Sequence, residues 1–151
     1  MRATLPCVTA RLLADGSCVF VDDFEGATVS WPSATALAEA WLEEWRHEAF
    51  GRACDFINEM TRRAAPGVLD LLRVFAECAT TDELDWIGAG PLEDLLSHSG
   101  NGAVVLEGVE KLARSHDAIA LALRNVWLGD TVAPEIRSRL VALGARDLSR
   151  P

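Results

Sequence analysis

The spacing of apolar positions changes character near residue 31. Before it, Val8–Leu13 and Ser17–Val21 are β-branched or apolar runs on either side of Ala14-Asp15-Gly16. An Asp-Gly pair between two such runs predicts a hairpin, with both turn residues tolerating positive φ. Ala27-Thr28-Val29-Ser30-Trp31, after the Glu25-Gly26 turn, predicts a third strand. A hairpin alone is marginal in water, so this region is expected to pack on helices.

From Pro32 onward the period is helical. Ser30 or Ser33 caps a first helix that tolerates Pro32 in its first turn and runs to about Phe50. Its apolar stripe is Leu37, Ala38, Trp41, Leu42 and Trp45. Cys54, Phe56, Ile57 and Met60 mark a second helix, ending at Arg62-Arg63. Pro66 starts a third, with Val68, Leu71, Leu72, Phe75 and Cys78. Thr80 or Thr81 caps a short fourth, whose first-turn acids complement the helix dipole. Gly88-Ala89-Gly90 ends it and Pro91 opens a fifth. Val104–Leu112, Ile119–Leu128 and Pro134–Leu143 complete the set, with Gly129 and Gly144 as terminal glycines of the last two.

This pattern predicts a mainly α protein: an irregular bundle of about eight short helices, possible in α-solenoid form, after an N-terminal β-hairpin or three-stranded meander. All 151 residues form one expected domain, with a β-hairpin region over 1–31 and a helical part over 32–151.

Charge narrows the partners. The chain carries 14 basic and 23 acidic residues, net −9. That disfavours direct nucleic-acid binding and an anionic membrane surface, and suits a basic protein partner. Residues 66–100 alone hold seven acids and one base, whereas 101–151 are nearly neutral. The middle helices therefore concentrate the negative charge. The N-terminus has no long apolar run and no stretch of 18 apolar residues exists, so a cytoplasmic chain with reduced thiols is expected. Thirteen arginines against one lysine, Lys111, suggest a GC-rich bacterial genome.

Few residues form a chemical constellation. Cys7, Cys18, Cys54 and Cys78 have no C-x-x-C spacing, so neither a zinc site nor another cofactor is expected. Glu44 and His47 share the Glu-x-x-His spacing of di-metal bundles, but such sites need a second copy. A solvated helix face is the simpler reading. Cys54 or Cys78 near His47 would be needed for nucleophilic catalysis; cysteines in apolar stripes are more simply buried hydrophobes. Trp41, Trp45, Trp86 and Trp127 fall on apolar faces and are expected in the core, with Trp31 the most exposed of the five tryptophans.

The segment Ala89-Gly90-Pro91-Leu92-Glu93-Asp94-Leu95-Leu96, with Val109-Glu110-Lys111-Leu112-Ala113, Val126-Trp127 and the early Ala40-Trp41-Leu42, resembles a bacterial family of small helical proteins of unknown function. The resemblance spans roughly residues 37–142, leaves the hairpin region outside, and implies a helical domain. Ser97-His98-Ser99-Gly100 ends the motif helix in the manner of that family.

Together these features predict a non-enzymatic protein-binding domain. An immunity-like inhibitor or accessory protein is its most concrete form. Asp82, Glu83, Asp85, Glu93 and Asp94 are the expected contacts. The alternative is an enzyme or accessory factor acting on a small molecule in a helical pocket, using Glu44, His47 and His98, or His116. A DNA-mimicking inhibitor would need denser rows of carboxylates.

Overall fold

The structure, a computed structural model, describes residues 5–98 and 100–149. Met1–Thr4, Ser99, Arg150 and Pro151 lie outside the described residues, and with them the readings of the extreme N-terminus and of Ser99. The fold is mainly α with a short N-terminal meander, as the periodicity predicts. The chain divides into two compact units, Met1–Met60 and Thr61–Pro151.

In the first unit, β1 (Val8–Leu12), β2 (Cys18–Asp22) and β3 (Ala27–Trp31) form an antiparallel sheet in sequence order. The first turn differs from the expected two-residue type. Gly16 takes positive φ (88°) but Asp15 does not. Leu13 and Ser17 close the loop instead, and the Asp15 carboxylate accepts from the Ser17 amide at 2.9 Å and its hydroxyl at 2.6 Å. This is the longer hairpin loop that ends on a left-handed glycine. Along β2, Cys18, Phe20 and Asp22 face inward. They share a core with Leu37, Trp41 and Leu42 of α1 (Ala34–Arg46) and Phe56 of α2 (Arg52–Arg62).

The capping serine of α1 is Ser33, whose hydroxyl accepts from the Ala36 amide; Ser30 lies in β3 and Pro32 precedes the cap. The helix stops at Arg46, short of the expected Phe50, because Glu48 turns left-handed (φ 50°). Phe50 still packs edge-on against Trp45, with ring centroids 5.0 Å apart.

Arg52 joins sheet to helix. Its guanidinium pairs with Asp22 at 3.0 Å, with Glu25, and with Asp55 at 3.4 Å, and it lies over the Phe20 ring at 5.7 Å. The Asp22 carboxylate also accepts from the Phe24 and Glu25 amides. Burial opposes its charge, but Arg52 and the two amides outweigh that and hold the carboxyl below its usual range.

The second unit is built on α3 (Val68–Cys78), α4 (Leu84–Ile87), a π-helical turn over Gly88–Leu92, α5 (Glu93–Ser97), α6 (Asn101–Ser115), α7 (Asp117–Leu123) and α8 (Pro134–Ala142). Leu71, Leu72, Phe75, Ile87, Leu92 and Leu95 are all buried, as the apolar stripes predict. Gly90 bends the chain between α4 and α5 (φ −107°, ψ −106°), so the expected break and restart survive as a kink. The buried Asn101 donates its amide to the Thr61 and Arg62 carbonyls at 2.9 and 3.2 Å, satisfying groups that the end of α2 leaves open.

The largest departure from the periodic reading is at residues 124–128. A helix to Leu128 was expected, with Gly129 after it. Instead α7 ends at Leu123, and Trp127–Leu128 becomes β4, paired in parallel with β5 (Arg146–Asp147). Period two then replaces period 3.6: Val126 and Leu128 are fully buried, while Trp127 between them is 40 % exposed. The expectation that Trp127 is core is therefore wrong, and Trp31 is only half-buried. Gly144 does follow its helix with positive φ (118°).

Gly88 is the tightest approach in this unit. A β-carbon there would stand 2.0 Å from the Ala122 carbonyl oxygen, a backbone atom that cannot step aside. Gly88→Ala is expected to cost at least about 2 kcal/mol, read from urea unfolding; an unchanged midpoint would mean that α4 and α7 are not in this contact. For Asp22→Asn, stability should fall at neutral pH. The wild-type carboxylate stabilises fully above the ordinary value of about 3.9 and loses its effect as pH drops through its lower folded value. The gap between variant and wild type should therefore close on acidification, and a pH-independent gap would assign the loss to something other than charge.

Candidate functional site

The five acids singled out on the central helices have different fates. Glu83 is buried, 6 % exposed. Its carboxylate accepts from the Thr80 amide at 3.1 Å, while the Thr80 hydroxyl accepts from the Glu83 amide at 3.3 Å. This reciprocal pair is a capping box, so Glu83 closes the start of its helix instead of facing a partner. The Thr-x-x-Glu spacing at 80–83 was the signal that could have revealed it.

Asp85 and Glu93 reach the same segment. Asp85 accepts from the Asn125 side-chain amide at 2.7 Å, and Glu93 accepts from the Trp127 backbone amide at 2.8 Å. The close approach at Gly88, between these two acids in sequence, is against Ala122 and Asn125 as well. Residues 125–127 thus form a strip that takes two of the five acids, Asp85 and Glu93. Asp82 and Asp94 are exposed. The protein around the Asp94 carboxyl desolvates it and raises its pKa, with His98 four residues on pulling the other way.

Trp127 stands on this strip as an aromatic that periodicity had assigned to the core. The Arg146 guanidinium lies 4.9 Å over its ring and donates to the Arg124 carbonyl at 2.8 Å. The ring is therefore held from one face by a cation and at its backbone by Glu93. An exposed tryptophan fixed in this way can enter a partner's pocket with little further loss of side-chain freedom.

Within the first unit, Glu44 and His47 do not converge. His47 pairs with Glu43 at 3.0 Å, in the open. Glu44 turns the other way and accepts from the amides of Gly51, of Ala53 at 3.0 Å, and of Cys54 at 3.3 Å. It is the anionic cap of α2, supplied from the preceding helix. His98 is exposed and belongs to the second unit. His116 contacts the Ser115 hydroxyl at 2.9 Å. Among the described residues, no cluster of three or more His, Cys, Asp or Glu is arranged to hold a metal. Burial, with the Glu44 charge beside it, pushes the Cys54 thiol up to about 12, so it is a protonated hydrophobe at neutral pH.

A groove of about 470 Å³ also opens on the second unit, between α3 and α6.

Comparison with known families gives one match: the model of a family of unknown function, DUF6869, spans residues 34–148. The chain belongs to this family. No curated protein and no solved structure matches it. The DUF6869 region begins at α1, leaves the β1–β3 sheet outside, and includes both Gly88 and Trp127. No helix among the described residues is long and apolar enough to cross a membrane.

Removing the Glu44 carboxylate leaves three amides at the start of α2 without their acceptor. Glu44→Ala is expected to destabilise by about 2 kcal/mol in chemical denaturation. In the wild type at mildly alkaline pH, iodoacetamide should label the exposed Cys7 well before Cys54. Faster labelling of Cys54 would reveal an accessible thiolate and reopen the nucleophile reading.

Proposed function

We propose that this DUF6869 protein is a non-enzymatic binding domain that engages a basic protein partner through the acidic strip around Trp127. The observation that carries this reading is Trp127 itself: a large aromatic, 40 % exposed, held by Arg146 and Glu93, with the exposed Asp85 bonded to Asn125 two residues before it. Tryptophan is among the residues that most often dominate binding energy, and surrounding charge sets encounter rate and partner sign. Immunity-like inhibition of a basic toxin is the most concrete form of this activity, in a bacterial cytoplasm. Asp82 and Asp94 are exposed carboxylates of the same central segment, whereas Asp85 and Glu93 hold the strip through Asn125 and Trp127. Glu83 lies within the fold, so substituting it would test the capping box and not the contact.

The test is affinity capture from lysate of the native host, comparing wild type with Trp127→Ala and with the double charge reversal Asp82→Lys, Asp94→Lys. All three positions are exposed, and circular dichroism checks that the variants fold. A basic protein held in stoichiometric amount, released by high salt and weakened at least about tenfold by either variant, is the expected result. A partner retained equally by all three proteins would place the contact elsewhere.

A further inference from the structure

The groove between α3 and α6 has a chemistry opposite to that of the acidic strip. Its walls are apolar: Val68 and Leu69 from one helix, Val104 and Leu112 from the other. Its width depends on Gly108. A β-carbon at that position would come 2.5 Å from Leu69 Cδ1, so Leu69 fills the space that a side chain on α6 would occupy. Val104 is 74 % exposed, an unusual state for a branched aliphatic on a groove wall. The groove is open to solvent, which suits a row of side chains better than an enclosed small molecule.

Charge decides what kind of segment fits. In a chain of net −9, this groove gathers Arg73, Lys111 and His116 against a single acid, Asp70. Arg73 is tied to Glu77 at 2.7 Å and Asp70 at 3.7 Å. Lys111, the chain's only lysine, has no carboxylate within ion-pair distance among the described residues. An ammonium at the edge of an apolar groove favours a ligand that brings its own carboxylate, and it repels a basic one.

From this combination we infer that the α3–α6 groove docks an acidic amphipathic helix of a partner protein, with apolar side chains against Val104, Leu69 and Leu112 and a carboxylate on Lys111. This is helix-in-groove recognition, with anchors at three- and four-residue spacing. It is independent of the Trp127 strip, whose partner carries the opposite charge.

The test uses two synthetic amphipathic peptides of the same pattern, one Leu/Glu and one Leu/Lys, titrated into isotope-labelled full-length protein and followed by amide chemical shifts. The Leu/Glu peptide should move amides within 64–73 and 104–116, and the Leu/Lys peptide should not. Lys111→Glu and Val104→Asp, both at exposed positions, should each weaken the Leu/Glu peptide at least about tenfold. Lys111→Glu should also admit the Leu/Lys peptide. The inference is overturned if neither peptide shifts these amides, if both bind alike, or if the two substitutions leave Leu/Glu binding unchanged. It is equally overturned if sedimentation shows a dimer that Val104→Asp dissociates, since the groove would then belong to a second copy of the chain. The Trp127 reading is untouched by any of these outcomes, because its variants and partner are different.

Discussion

The contact between Gly88 and the Ala122 carbonyl sets the arrangement of the central helices. A backbone-to-backbone approach with no room for a β-carbon fixes α4 against the end of α7. That placement lets Asp85 reach Asn125 and Glu93 reach the Trp127 amide. The second of these bonds connects the Gly-Pro-Leu-Glu-Asp segment to the Val-Trp pair more than thirty residues away. Glu93 of the motif is thereby explained as part of a scaffold before any partner is considered. Their geometry is also what leaves Trp127 on the surface.

Several acids that make the net charge negative act inside the fold. Glu44 and Glu83 each satisfy backbone amides at a helix start, one across a loop from α1 to α2 and the other within a capping box. Asp22 organises a turn and holds Arg52. Helix N-termini present several amides with no partner in their own helix, and an anion is their natural complement. A count of carboxylates therefore overstates the charge that a partner meets. The free acids, Asp82 and Asp94, are fewer than the sequence suggests, and the aromatic beside the strip matters correspondingly more.

The two proposed surfaces differ in sign as well as place. One offers a tryptophan fixed between Arg146 and Glu93. The other offers apolar walls and the Lys111 ammonium, which has no ion-pair partner among the described residues. A domain bearing both can engage two partners of opposite charge, or two segments of a single partner, and variants at Trp127 and Lys111 separate these cases.

The sequence by itself determined the order and type of nearly every element, the apolar stripes of α1 to α6, and the meander at the N-terminus. Those features rest on local period, capping residues and turn glycines, which act within a few positions along the chain. It also put Glu44 and His47 on one helix, whereas α1 ends at Arg46 and the two side chains part company. Only the tertiary structure decided that residues 124–128 leave the helix, because β4 exists through its pairing with β5, and no local period records a partner nineteen residues away. The same holds for Glu44 at the start of α2 and Gly88 against Ala122. Trp127 is the sharpest case: helical period sends it inward, strand period sends it outward, and the choice was made by the bonds of its neighbours to Arg146 and Leu148.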